Sequence, residues 1–235
     1  MSRVLKIDKL NLKTFSTKQS VEKEYNVYGL TNVENVLIKK YFKKKGKVLD
    51  IGCGTGRTTV PLAKMGHDVV GIDYSKKMIG FAKKKYPNIL FNVMNASELK
   101  YKENAFDYIL FSFNGLDCIA SERKRFQCIK EMRRVLKKDG ILIFSTHNPF
   151  KLPLNSWKMK VLIENTLRGN IFRKYWIEHS PFGTVYLYYK DIFKQKKDIE
   201  KLGFEVLEIR GKKYHSKWEI RLFENAAHFV LRKRQ

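Results

Sequence analysis

One stretch narrows the folds open to this chain more than any other: Val48-Leu49-Asp50-Ile51-Gly52-Cys53-Gly54-Thr55-Gly56. It reads as a buried strand that breaks into a turn with glycine at every second position. Alternating glycines weaken a strand or a helix, so such a turn exists to let backbone approach something closely. A second apolar run, His67-Asp68-Val69-Val70-Gly71-Ile72, ends on an acid, Asp73, at the spacing of about 20 residues that α/β units use to hold an adenosine-type cofactor. The acid accepts hydrogen bonds from the two ribose hydroxyls.

The order of the turn bears on which cofactor it suits. A dinucleotide turn reads G-x-G-x-x-G, with a helix start facing a pyrophosphate. Here Asp50 leads an Asp-x-Gly-x-Gly-x-Gly pattern. A carboxylate there repels a pyrophosphate and suits a ligand with positive charge, such as an α-amino group.

The elements that follow carry a resemblance. Gly71-Ile72-Asp73-Tyr74-Ser75 closes the second strand, and Asn92-Val93-Met94-Asn95-Ala96 ends a third. Phe106 to Ser112 is a fourth. Phe126 to Leu136 carries Phe126, Ile129, Met132, Val135 and Leu136 at helical spacing, with Lys137 to Gly140 read as its cap. Ile141 to Ser145 is a fifth strand, and Arg133 to Leu142 is similar to a helix-to-strand signature. Residues 46 to about 148 thereby resemble a class I S-adenosylmethionine-dependent methyltransferase. The resemblance implies an α/β fold: a Rossmann-like seven-stranded, mostly parallel sheet with helices on both faces and the final strand antiparallel, at the sheet's edge region. Strands six and seven are read at 204–209 and 226–231. The expected division is an N-terminal helical arm or lid over 1–45 and a methyltransferase domain over 46–235. An aromatic-rich insertion at about 149–190 holds Trp157, Tyr175, Trp176, Phe182, Tyr186, Tyr188 and Tyr189 and is expected to form the acceptor wall. Residues 1 to about 20 read as loose or as an arm, and helices are read at 56–65, 75–86, 151–167 and 191–202.

The resemblance also implies a site bound to S-adenosylmethionine. Gly52, Cys53, Gly54 and Gly56 present backbone, with Cys53 as a small packing residue. Asp50 either orients the turn toward the ligand's ammonium or only caps backbone amides. Asp73 takes the ribose diol, and Tyr74 and Met78 flank the adenine. Asn95 departs from the family's usual aspartate at the adenine amino group, although an amide carbonyl can accept there as well. Ala96 leaves room for the ring, and Phe111 lies beside the methionine part. Tyr28 either closes over the cofactor or packs a helix on the core. The candidate base is His147, just past strand five at the carboxyl edge of the sheet, or else a structural histidine. His179 is a second choice. No metal site is expected.

Bulk properties limit the partners. No apolar run approaches a membrane span, the first 20 residues lack a signal-peptide core, and three unpaired cysteines fit a cytoplasmic protein. The net charge of +25 raises nucleic acid, yet 36 of the 48 basic residues are Lys and 12 are Arg, the reverse of what phosphate and base readers favour. Strand four is followed by Asn114-Gly115-Leu116-Asp117, not by an amino-methylating Asn/Asp-Pro-Pro-aromatic motif. The expectation is therefore O- or N-methylation of a small, anionic molecule such as a sugar or nucleotide-linked sugar, by a monomer or homodimer. RNA or tRNA methylation, or an inactive cofactor-binding regulator, are the alternatives.

Overall fold

The computed structural model describes residues 3–24, 29–119, 121–150, 152, 156–169, 175–180 and 183–234. Seven strands form one sheet: β1 Lys47–Ile51, β2 Asp68–Asp73, β3 Leu90–Val93, β4 Phe106–Phe111, β5 Leu136–His147, β8 Phe204–Arg210 and β9 Ala226–Lys233. Their order is β3-β2-β1-β4-β5-β9-β8. The pairs from β3 to β5 are all parallel, and β9 is antiparallel to both β5 and β8. The last strand is thus antiparallel as expected, but it lies inside the sheet and leaves β8 at the edge. Two further strands, β6 Tyr175–Ser180 and β7 Gly183–Tyr188, form a separate hairpin.

Strand residues alternate between two helical layers, as a period of two requires. Leu49, Ile51, Ile109, Phe111, Leu142, Phe144, Phe229 and Leu231 pack with α5 (Glu122–Val135), α7 (Ile192–Lys201) and α8 (Lys217–Phe223). Val48, Leu110, Ile141, Ile143 and Val230 face the other way, onto α2 (Asn32–Tyr41) and Leu62 of α3 (Thr59–Lys64). Most of these side chains are fully buried, and each stabilises the fold by about 1.5–3 kcal/mol over its exposed state. α4 (Lys76–Lys85) starts where Ser75 accepts the Met78 N–H, and it lays Ile79 and Ala82 on Phe91 and Cys53.

Several sequence expectations shift. The helix after the glycine turn is six residues, starting at Thr59, because Thr58 and Thr59 turn their hydroxyls back to Asp50. Lys137 to Gly140 does not cap α5. That helix ends at Val135, Leu136 is already extended (φ −76°, ψ 135°), and Asp139 sits at φ 57° in a kinked lead-in to the paired residues 141–147. The segment read as loose or as an arm contains a 13-residue helix, α1 (Arg3–Phe15), and residues 151–167 contain α6 (Ser156–Leu167).

The hairpin is held by two asparagines that behave like strand partners. Asn11 of α1 accepts the Tyr186 N–H (2.8 Å) and donates to the Tyr186 carbonyl (2.8 Å) and the Cys118 carbonyl (3.0 Å). Asn165 of α6 does the same to Ile177 on the opposite edge, at 2.8 and 3.0 Å. Each amide satisfies the backbone groups an edge strand would otherwise leave open. Thr14 adds a bond to the Thr184 carbonyl at 2.9 Å. Among the described residues no helix is long and apolar enough to cross a membrane.

Candidate cofactor and acceptor site

The carboxyl ends of β1, β2, β4 and β5 open into one cavity of about 360 Å³, roofed by α1 and β7. Parallel strands place their ligands at this end, where the turns to the helices leave backbone groups unpaired. The cofactor half is built from the glycine turn. Gly52 and Gly54 have φ of 65° and 56°, left-handed values that side chains rarely adopt, and a Cβ on Gly52 would come within 3.0 Å of Phe111. Asp73 clamps that turn. Its Oδ2 accepts the Gly54 N–H at 3.0 Å and its Oδ1 the Ser75 N–H at 2.8 Å. A carboxylate has about four lone-pair sites, so backbone N–H groups leave acceptor capacity for a diol. Burial pushes the Asp73 carboxyl up, against the N–H groups of Ser75, Gly54 and Tyr74, which pull it down.

Tyr74, Met78, Asn95, Ala96 and Phe111 also line the cavity, together with Ile51, Ile72 and Met94. Tyr74 is exposed and Met78 is buried. The Asn95 carbonyl already accepts the Ser97 N–H (3.0 Å) and hydroxyl (2.9 Å), so it meets an adenine amino group only by sharing. Three expected cofactor residues sit elsewhere. Asp50 lies beneath the turn, 1% exposed and outside the cavity lining, with Oδ2 taking the Thr59 (2.6 Å) and Thr58 (2.7 Å) hydroxyls. Its Oδ1 has no partner among the described residues, and burial pushes its pKa up to about 6 against those hydroxyls. Asp50 therefore shapes the turn from beneath. Cys53 turns away onto Phe91, Ile79 and Ala82, and burial raises its thiol well above the ordinary range. Gly56 packs toward Phe91 and not the cavity. Tyr28 lies outside the described residues.

A buried ion pair ties α2 to this half. Arg57, just past the turn, reaches Glu34 at 2.7 and 2.9 Å and the Gly29 carbonyl at 3.0 Å, while the Ser112 hydroxyl also bonds Glu34. Burial alone would raise Glu34. The Arg57 guanidinium, the Ser112 hydroxyl and the Thr31 N–H outweigh it and hold the carboxyl at about 2.

The acceptor half is walled by Leu12 and Phe15 of α1, Phe113, Ile119, and Val185 and Leu187 of β7. Among the described residues the expected aromatic wall is not found: on β7 the aliphatic residues line the cavity, and Tyr186 and Tyr188 do not, while Phe182 and the Trp157 side chain lie outside what is described. Tyr188 instead bonds Glu122 (2.7 Å) under the Arg125 guanidinium, 4.3 Å from its ring. Its polar groups include Asp8, Asn11, Asn114, Lys124 and His147. Lys124 lines the cavity but is paired with Asp8 at 2.6 Å. His147 lines it too, a quarter exposed, with Nδ1 2.9 Å from Asp117 Oδ2 and Nε2 3.2 Å from the Asn114 amide nitrogen. His179 lies away from the cavity, exposed, bonded to Glu164 and Thr184. Asp117 was missed as a site residue. It lies on a short 3-10 turn, Gly115–Cys118, aimed back at β5 by left-handed Phe113 and Asn114 (φ 52° and 58°), and the Asn-Gly pair is the only local sign of that reversal.

Comparison with known proteins matches this geometry. Residues 48–140 fit the family model described as a methyltransferase domain. Over that stretch the chain is a methyltransferase domain. The whole fold aligns with a solved S-adenosylmethionine-dependent methyltransferase from Methanosarcina mazei at a TM-score of 0.69, 22% identity, and coverage of 88% of this chain and 99% of that one. An uncharacterized protein of Methanocaldococcus jannaschii is 35% identical over 71% of this chain and 61% of its own length. A demethylmenaquinone methyltransferase of Staphylococcus saprophyticus is 28% identical over 76% of this chain and 78% of its own. The chain spans from about half to three-fifths of the length of the first curated relatives it matches. The class I cofactor fits the residues present: a clamped glycine turn, a carboxylate with lone pairs to spare for a diol, and an exposed and a buried side chain that can flank a ring.

Proposed function

We propose that the protein transfers a methyl group to a small molecule with a mainly apolar face and one ionisable hydroxyl or N–H. Gly52 and Gly54 would hold the cofactor's amino-acid part by backbone, Asp73 its ribose, and Tyr74 and Met78 its base. S-adenosylmethionine supplies there a methyl group on a cationic sulfur, already activated for displacement. The chain's own contribution is alignment, exclusion of water and removal of a proton. His147 serves the last of these, because among the described residues it is the imidazole that lines the cavity.

The observation that carries this reading is the single cavity running from Asp73 to His147. Its acceptor half argues for the class of molecule. Leu12, Phe15, Ile119, Val185 and Leu187 offer no partners to a ring of sugar hydroxyls, and the charge of Lys124 is already answered by Asp8. An aromatic hydroxyl compound fits such walls better than the nucleotide-linked sugar that the charge suggested. Similarity to a relative named for demethylmenaquinone points the same way.

The test offers the full chain S-adenosylmethionine with 1,4-naphthalenediol, a nucleoside-diphosphate sugar or a tRNA transcript, and reads S-adenosylhomocysteine release. Release with the naphthalenediol is expected, slowed on the order of 10²-fold or more in His147→Ala. Release with the sugar or tRNA alone overturns the acceptor class. No release, with no S-adenosylhomocysteine binding by calorimetry, overturns methyl transfer.

A further inference from the structure

His147 can take a proton only if its free lone pair faces the cavity, and the structure contains a group that decides this. Asp117 has no solvent exposure. It receives the Thr146 hydroxyl at 2.9 and 3.1 Å, the His147 backbone N–H at 2.7 Å, and His147 Nδ1 at 2.9 Å. The Arg125 guanidinium, 3.3 Å away and also buried, balances its charge. A carboxylate accepts and does not donate, so the hydrogen in the Nδ1 contact belongs to the imidazole. The other ring nitrogen, Nε2, stands 3.2 Å from the Asn114 amide nitrogen, a donor that a bare Nε2 can accept. Asn114 is itself fixed by its backbone N–H to Ser145 Oγ at 2.8 Å.

We propose that Asp117 is a positioning residue that locks His147 in its Nδ1–H tautomer and so turns a bare Nε2 toward the acceptor. The inference rests on the methyl-transfer reading for its purpose and on the hydrogen bonds for its content. One carboxylate oxygen takes both the backbone N–H and the Nδ1–H of the same residue, which fixes ring rotation as well as tautomer. When the acceptor takes the methyl group, the proton of its hydroxyl or N–H passes to Nε2. The imidazolium that forms is stabilised by the carboxylate behind it, and the proton is later released to water. Asn114, which occupies Nε2 in the free protein, gives way to the acceptor's hydrogen.

Two measurements separate this role from a scaffolding one. In the full chain labelled with ¹⁵N-histidine, at alkaline pH where imidazoles are neutral, two-bond ¹H–¹⁵N spectra report each tautomer, and His147→Gln identifies the signal. Wild type is expected to show Nδ1 protonated and Nε2 bare, and Asp117→Asn to shift the ring toward Nε2–H. A wild-type ring protonated at Nε2 overturns the proposal even if every variant fails to fold. In turnover, Asp117→Asn should lower kcat on the order of 10²-fold or more, by analogy with other histidines held in the wrong tautomer, while acceptor KM and S-adenosylhomocysteine affinity change by less than about threefold. An unchanged kcat overturns it. Absence of turnover in wild type would sink the proposed function and leave the tautomer to decide the role of Asp117.

Discussion

The two halves of the cavity are built in opposite ways. The cofactor half comes mostly from neighbouring segments: a glycine turn, the strand after it and the cap of the next helix lie within residues 50–78, and only Met94 to Ala96 and Phe111 join them from the next strands. The acceptor half is drawn from α1, the turn after β4, the end of β5 and β7, with Asn11 and Tyr186 meeting across 175 positions. A local motif can announce the first kind of site. The second exists only once the fold does, and its residues carry their meaning through partners far away in sequence.

The sharpest way to break this contrast is at Asp50, which heads the motif yet stands outside the cavity. Its folded pKa, about 6 against the ordinary 3.8, means that the native state holds its proton more tightly. Stability from this group is then full below pH 3.8, falls as pH rises toward 6, and stays low above. Across that window Asp50→Asn should gain about 3 kcal/mol relative to wild type, read from urea unfolding at pH 4 and pH 7. Equal pH slopes would mean that Asp50 is solvated and free to touch a ligand. Next in size, Asp73→Ala should weaken S-adenosylhomocysteine binding about 10- to 100-fold by calorimetry, through lost charge-assisted bonds. Unchanged affinity would remove the ribose assignment. The smallest effect is expected at Asn11→Ala, where the roof should loosen by about 1 kcal/mol. Amides of α1 and β7 would then exchange faster, while those of β1 and β4 keep their protection. A uniform change throughout would show that the two halves unfold as one.

Legibility followed the same division. The strands from β1 to β5, the Ser75 cap and the place of Asp73, Tyr74 and Met78 on the cavity were readable, because strand periodicity and turn chemistry act within a few residues. Asp50, Cys53 and Gly56 belonged to the motif but face inward; their pattern records how the turn is built, not what it touches. α1 was left open between a loose segment and an arm, because its lysines mask a stripe that becomes useful only against β7. The roles of Asn11 and Asp117 were invisible, since an amide that copies a strand and a carboxylate that steers an imidazole have no local signature. The aromatics near residue 180 misled by composition: on an alternating strand, the aliphatic residues between them took the inner face.

The place of β9 has a consequence for how the molecule is made. β8 has no hydrogen-bonded neighbour in the sheet except a strand that leaves the ribosome after it. Until that later segment emerges and threads between two earlier ones, β5 presents an open flank at the very edge that carries His147. During synthesis, then, the flank of β5 that ends on His147 is covered only once residues 226–233 have emerged, and the core shared by β1, β2 and β9 closes at the same late moment.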